Sequence, residues 1–409
     1  MSSKNHKKKI KNIVIANDFD YVQGGASKVA IDTANILANL NEDINVYFFS
    51  AVHAEESSLD EKVKKICTNQ LEAMKYKNKI KGFLNGIYNC KAKKEMRKLL
   101  DTLNKDETII HVHGWTKALS SSVFDIGFKK EYKVVLTLHD YFTACPNGGY
   151  FNYKKNEICH LKPLSRKCCM CNCDSRNYLF KIYRIIRQFT QNKIVKLNDK
   201  LTDVISISDF SEKILKKTLN PKVKIHRVYN PIYLDPNPKK VNYMDNKYYL
   251  YVGRISKEKG VDVFCRAITE LKYKGVVVGD GSEIERLKKE YPNIKFTGWK
   301  NSKEVKDIMS KAKALVFPSL WYETMGMTVL EAQNIGIPVI VNVNTAASEF
   351  VENGKNGFVY HDYNEMIEIL KKIDLIDIDM ECKCDYKHNY SESILNCYND
   401  LIDRNGVER

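Results

Sequence analysis

Three short stretches in the second half of this 409-residue chain set cations, glycines and carboxylates where they could handle a phosphate-bearing ligand. The first is Gly253-Arg254-Ile255-Ser256-Lys257-Glu258-Lys259-Gly260, directly after the apolar run 248–252. Glycine lets the backbone turn sharply, so Arg254 and Lys259 are expected at the carboxyl end of a sheet. Two fixed cations there could hold a diphosphate, arginine by its fork and lysine as a point charge. Alone, a solvated basic loop would read the same. The second stretch, Val278-Gly279-Asp280-Gly281-Ser282-Glu283, is again strand, glycine turn and helix, a weak sign of nucleotide binding because such turns need glycine for local reasons.

The third stretch is the most informative: Trp321-Tyr322-Glu323-Thr324-Met325-Gly326-Met327-Thr328-Val329-Leu330-Glu331-Ala332. Gly326 would let the amides of a first helical turn approach a ligand, and those amides are unpaired donors at a positive dipole end. Glu323 lies before the helix and Glu331 about two turns on. The two carboxylates can therefore hold different parts of one extended ligand, such as sugar hydroxyls and a ribose. A capping acid and an ordinary surface glutamate are the plainer readings.

The elements that must position these residues follow from hydrophobic periodicity. Short β-branched runs (13–16, 46–49, 109–112, 134–138 and 204–207) alternate with amphipathic stretches, and the pattern restarts at 248–252, 275–278, 314–317 and 338–341. Helix-like segments lie at 26–40, 261–271, 282–291 and 302–312. Such alternation predicts an α/β protein of parallel sheets with helices on both faces. It starts twice, around a Pro/Asn/Lys-rich stretch, 230–246, that reads as a linker. Two doubly wound domains would face each other across a cleft lined by loops at the strand ends. The expected division is 1–232, 246–385 and a closing helix within 386–409.

Four ordered motifs now resemble those of retaining glycosyltransferases of the family-4 type, the bacterial surface-polysaccharide kind, which have the GT-B fold of two Rossmann-like domains. Glu323 and Glu331 match the paired glutamates, Gly253 to Gly260 the diphosphate loop, and 278–281 the nucleotide-side turn. The stretch 349–357 is similar to the turn that follows. The resemblance covers roughly residues 11–360. It implies transfer of a hexose or N-acetylhexosamine from a nucleotide diphosphate sugar, a UDP- or GDP-sugar, to a glycan acceptor, with retention of configuration and no metal required for catalysis. It implies catalytic roles for His139, Arg254, Lys259 and Glu323. Donor contacts are implied for Gly24, Gly25, Gly253, Gly279, Asp280, Gly281, Trp299, Thr324, Met325, Gly326, Met327, Thr328 and Glu331. Gly24-Gly25 follows the first strand and would bring backbone amides to the diphosphate, although Ala26-Ser27-Lys28 stands where many relatives have an acid. His139-Asp140 matches a family pair whose histidine lies at the donor sugar, and His113 is a candidate for the acceptor side. A glycoside hydrolase, with two carboxyls flanking the bond, and a noncatalytic nucleotide-sugar or membrane-binding protein are the rival readings.

Two features fall outside the motifs. Six of the twelve cysteines lie between 145 and 173, and Cys168 and Cys171 form a CxxC pair. In a reducing compartment this reads as thiolate zinc rather than disulfides, with Cys145, Cys159, Cys168 and Cys171 as first-choice ligands and Cys173 as substitute. Buried thiols or redox chemistry would give the same spacing. Charge is the other feature. The formal net charge is +16, yet residues 1–240 hold 43 basic and 24 acidic side chains and the rest 23 and 26. The positive half carries a lysine-rich stretch, 62–98, and the segment 178–187, with cations at 181, 184 and 187 among aromatic and aliphatic neighbours. That suits a helix in an anionic membrane interface, and equally an ordinary packed helix with a basic outer face. The expected partners are an anionic membrane surface and a polyprenyl-diphosphate-linked glycan, with no nucleic acid. No run reaches the ~18 apolar residues of a membrane span and residues 1–11 lack a signal's apolar core, so the expected location is cytoplasmic, peripheral on the inner face of the cell membrane.

Overall fold

The computed structural model describes residues 9–40, 42–55, 57–375 and 390–404. The expected boundary at 385/386 and the first eight residues lie outside the described residues. Among the described residues there are fifteen strands: β1 (Asn12–Phe19), β2 (Asn45–Val52), β3 (Lys64–Cys67), β4 (Thr108–Val112), β5 (Lys133–Thr137), β6 (Phe151–Asn152), β7 (Glu157–Ile158), β8 (Asp203–Ser206), β9 (Lys224–Arg227), β10 (Tyr248–Val252), β11 (Gly275–Val278), β12 (Ile294–Phe296), β13 (Ala312–Phe317), β14 (Val339–Asn342) and β15 (Gly357–Tyr360). They form a seven-stranded sheet in the order β3-β2-β1-β4-β5-β8-β9 and a six-stranded sheet in the order β12-β11-β10-β13-β14-β15. All pairings in both are parallel. In each the order reverses beside the first strand, so a crevice opens at the carboxyl ends of β1 and β4, and of β10 and β13.

The sequence makes these strands because they are buried on both faces. All eight residues of β1 and all four of β11 are buried, which favours continuous β-branched runs over alternation. One difference from expectation is local: the helix predicted over 302–312 ends at Met309, and Ala312 opens β13. The strand takes it because Ala312 pairs with Tyr248 in the sheet interior.

The closing helix, Tyr390–Asp403, packs on the first sheet, where Ile394, Tyr398 and Leu401 share a core with Ile13, Ile15 and Leu37. Polar contacts help pin it, among them Tyr390 Oη to Thr33 Oγ1 and Tyr398 Oη to His111 Nδ1, each 2.6 Å, and the ion pair of Asp400 with Lys224.

The helix Tyr178–Phe189 corrects the expectation of a basic face turned outward. It buries Lys181, Tyr183, Arg187 and Gln188 and exposes Leu179, Ile182, Ile186 and Phe189. The reason lies beneath it. Arg187 donates to the carbonyls of Thr116 and Pro146, and Gln188 to those of Thr143 and Ala144, so the inward face satisfies loop backbone instead of filling an apolar core. Arg184 is ion-paired to Asp174 at 2.7 Å. Beside it the helix Lys79–Ile87 exposes Ile80, Phe83 and Leu84, and Phe83 packs on Tyr183 with ring centroids 5.2 Å apart.

Candidate active site

A cleft of about 510 Å³ lies between the two sheets. It is floored by strand-end residues Asn17 and Asp18 and walled by two helix starts, Gly25–Leu40 and Met327–Asn334. The two helix starts come close together: a β-carbon on Gly25 would sit 3.6 Å from the Met327 methyl. Two positive dipole ends thus converge on one space. Arg254 and Lys259 enter it from the loop after β10.

That loop is shaped by close backbone packing. Gly260 has φ +67° and a β-carbon there would lie 1.9 Å from the Pro318 carbonyl oxygen. Gly279, with φ +135°, packs as tightly on the Gly253 carbonyl, again 1.9 Å. Arg254 pairs with the buried Glu258 at 2.7 Å, and Ser256 Oγ donates to the same carboxylate oxygen at 2.8 Å. Lys259 is ion-paired with Glu323, whose Oε2 also accepts from Trp321 Nε1 at 2.9 Å and from Ser319 Oγ at 3.4 Å. The lysine stands 5.2 Å above the Trp321 ring.

From the other domain, His139 reaches the same space. Its Nε2 meets His113 Nδ1 at 2.9 Å, the two rings stack, and His113 in turn packs on His111. His111 Nε2 meets Thr137 Oγ1 at 2.7 Å. Burial pulls His139 and His111 down to about 3, and His113 well below its usual value, so all three are neutral near pH 7. Burial pushes the Asp140 carboxyl up to about 6, partly opposed by the Phe142 amide it accepts from. Asp18 is also raised by burial, while accepting from the amides of Lys117, Ala118 and Leu119.

All four residues expected to act in catalysis, His139, Arg254, Lys259 and Glu323, border this one cleft, as do Gly24, Gly25, Gly253 and 324–328. Glu331 lines an adjoining recess that shares Val252 and Thr328 with the cleft. Its crowded setting raises the carboxyl, with Lys28 across the cleft partly offsetting this. Four expected donor contacts stand elsewhere. Gly279, Asp280 and Gly281 pack behind the Gly253 loop, where Ile255 N donates to the Asp280 carbonyl at 2.9 Å, and Trp299 is 74% exposed outside both recesses. His113 is buried behind His139 rather than on the cleft surface.

Sequence reasoning did not single out Asn17, Asp18, Lys117, Ser319, Trp321 or Glu258 as site residues. Asp18 was detectable as an acid at the end of the first strand just before Gly24-Gly25. Glu258 was detectable as the acid between two cations of one loop.

The cleft is also bridged. Thr324 Oγ1 donates to the His139 carbonyl at 2.9 Å, and Glu349 accepts from the amides of Asp209 and Phe210. Tyr322 lies edge-on to Tyr141 and Phe210, with centroids 6.3 and 5.6 Å away.

Residues 236–390 match the family model described as "Glycosyl transferases group 1". An uncharacterized 41.2 kDa protein of the cps region of Klebsiella pneumoniae is 29% identical over 214 residues, covering 48% of this chain and 57% of that protein. A UDP-Gal:alpha-D-GlcNAc-diphosphoundecaprenol alpha-1,3-galactosyltransferase of Escherichia coli is 30% identical over 141 residues, 31% of this chain and 36% of the relative. These matches thus span between about a third and a little over half of each relative's length. The structure of Anabaena Alr3699/HepE in complex with UDP-glucose aligns with a TM-score of 0.58 at 15% identity, covering 96% of this chain and 97% of that one. The architecture is the GT-B fold.

Proposed function

We propose that the protein is a retaining glycosyltransferase that moves a hexose or N-acetylhexosamine from a nucleotide diphosphate sugar to a lipid-linked glycan in surface-polysaccharide assembly. The single observation that carries the reading is the convergence of two helix N-termini, Arg254 and Lys259 on one cleft that also holds Glu323 and His139. When the sugar C1–oxygen bond to the diphosphate breaks, negative charge collects on the departing phosphate. Arg254, Lys259 and the amides at Gly25 and Met327 oppose that charge, and C1 bonds to the acceptor oxygen on the same face. The acceptor's proton passes to the leaving phosphate. Glu323, fixed by Trp321 and Ser319, holds sugar hydroxyls once the diphosphate takes over Lys259. Neutral His139 offers a hydrogen bond to the sugar rather than a proton. Glu331 holds the ribose.

HepE was solved with UDP-glucose, which makes UDP-sugars the first donors to assay. A cps-region relative and a diphosphoundecaprenol-directed relative support an acceptor of the polyprenyl-diphosphate class. The outward apolar faces of 79–87 and 178–189, flanked by Lys77, Lys79, Lys81 and Arg176, supply a surface on which such a lipid's membrane could be met.

The test is a panel of nucleotide sugars with polyprenyl-diphosphate glycans, followed by R254A and E323A. Each substitution should lower transfer at least about tenfold, since one preorganised donor commonly supplies that much or more. Near-parental rates in both would refute the site. Sugar release from a simple glycoside without any nucleotide sugar would favour a hydrolase instead.

A further inference from the structure

Between β5 and β8 the chain makes a long excursion holding the hairpin β6–β7 and the helices Arg166–Met170 and Tyr178–Phe189. Its cysteines, the expected zinc ligands Cys145, Cys159, Cys168 and Cys171 among them, are free thiols. Among the described residues no three His, Cys, Asp or Glu side chains are grouped so that they could hold a metal ion. What the excursion does build is a cationic recess. A hollow of about 190 Å³ opens where the helix 178–189 meets the loops after β4 and β5, and Lys117, Arg176, Arg184 and Arg187 all line it. It shares Thr116, Lys117 and Phe142 with the cleft, so the two spaces adjoin.

Three of these cations lack a carboxylate. Arg184 is ion-paired to Asp174, and the one acid in the lining, Glu72, is held by Lys75 at 2.6 Å. Among the described residues Lys117, Arg176 and Arg187 make no ion pair and stand instead against the rings of Phe19, Phe180 and Phe142, at 5.3, 4.5 and 4.6 Å. Stacking occupies the face of a guanidinium and leaves its edge donors for an oxyanion. Arg187 is the sharpest case. It is only 7% exposed, and it donates to the carbonyls of Thr116 and Pro146 while its Nε meets no acceptor. Burial lowers it to about 10, so it is still charged at neutral pH. Asp140 and Asp18 lie within electrostatic reach but accept from backbone amides. A buried charge short of both a counter-ion and an acceptor is costly to keep, and an anion in the recess supplies both.

The hollow is smaller than the ~300 Å³ and upward of an ordinary organic ligand's pocket, which suits a compact oxyanion. Its wall includes Phe180, Tyr183 and Arg184 of the helix that exposes Leu179, Ile182, Ile186 and Phe189. Phe83 of the neighbouring helix packs on Tyr183. Cleft, cationic recess and apolar surface therefore adjoin in that order. We propose that the recess is a second phosphate site, separate from the donor's, which takes the diphosphate of the lipid-linked acceptor on Lys117, Arg176 and Arg187. The inference rests on the acceptor class of the proposed function and adds an orientation to it. The glycan end enters the cleft, and the prenyl chain leaves over the outward faces of 79–87 and 178–189. Because recess and cleft adjoin, only a short glycan fits between the diphosphate and the reacting hydroxyl.

The test is calorimetric titration of the full chain with geranyl diphosphate, the donor cleft first filled with UDP. Saturable binding is expected, undisturbed by an excess of geraniol or of glycerol 3-phosphate. R176Q and R187K should each weaken it at least about fivefold, since a hydrogen bond to a charged group commonly supplies that much. Neither residue lines the cleft, so UDP affinity should stay at the parent's value. Arg187 also holds two loop carbonyls, so R176Q, at an exposed position, carries the test if R187K fails to fold. In transfer assays both variants should raise KM for a polyprenyl-diphosphate glycan and leave KM for the nucleotide sugar unchanged. No saturable binding, or equal affinity in the parent and both variants, overturns the site. Displacement by equimolar glycerol 3-phosphate overturns it in favour of a phospholipid headgroup. Binding that depends on Arg176 and Arg187, without transfer to any polyprenyl-diphosphate glycan, leaves the site standing and refutes the proposed acceptor. Transfer with an unaltered acceptor KM in both variants does the reverse.

Discussion

At the residue scale, the candidate site is a set of charges held apart from one another by borrowed partners. Arg254 rests on Glu258 and Lys259 on Glu323, so under the proposed function a diphosphate must displace or share carboxylates to gain the cations. On that reading Trp321 is the hinge of the exchange, because the hydrogen bond from its Nε1 would keep Glu323 in place once Lys259 turned to phosphate. W321F should therefore lower kcat/KM for transfer about tenfold, the worth of one hydrogen bond to a charged group, while urea unfolding stays close to the parent's. A parental kcat/KM would remove Trp321 from the site. The four residues expected to act chemically were legible as lining one cleft, because charged and imidazole side chains placed just after apolar strand runs fall at the strand ends where such a cleft opens. Trp321 was not, since an indole in a loop carries no charge pattern that announces a hydrogen bond to a carboxylate. Gly279 and Gly281 were legible as glycines but their packing was not, because sequence does not show that a β-carbon at either would meet the backbone of Gly253 or Ile255.

At the element scale, the doubly buried strands β1, β4, β10, β11 and β13 were readable from their continuous apolar runs. The short outer strands β3 and β9 were not. Each has four residues, none of them buried, so there is no periodic signal to detect. The turn before the helix Val261–Glu270 depends on Gly260 in the left-handed region. G260A should destabilise the protein by at least about 2 kcal/mol, from the left-handed cost plus the clash with Pro318, measured by urea unfolding. A loss below half of that would show that the loop yields easily. The helix 178–189 defeated periodicity reasoning for another reason: its apolar stripe was found, but its side was not. Cations at 181 and 187 are inside, so attraction to an anionic surface must come from Lys77, Lys79, Lys81 and Arg176 around it. I182S combined with I186S should reduce flotation of the protein with anionic vesicles severalfold without moving the melting temperature. Unchanged flotation would detach the helix from membrane contact.

At the scale of the whole molecule, three histidines packed ring against ring run from the cleft through the first sheet to the closing helix. All are held neutral by burial, with folded values far below the ordinary 6.5. The unfolded chain therefore binds up to three more protons than the folded one as pH falls below about 6.5, at about 1.4 kcal/mol per proton per pH unit. The contribution is complete above that pH and is lost progressively toward about 3. H111Q should flatten the fall in unfolding free energy between pH 6.5 and 5, followed by urea titration at each pH, and an unchanged slope would mean that the ring is not kept neutral. The docking of Ile394, Tyr398 and Leu401 beside Ile13 and Ile15 has a different kind of consequence, one of timing during synthesis. A strand near residue 13 waits on the ribosome for a helix near residue 398, so the first domain cannot seal one face of its sheet until the second has been made. A fragment cut after the linker would leave that face wet and sticky, and chaperone dependence should track the first domain rather than the second.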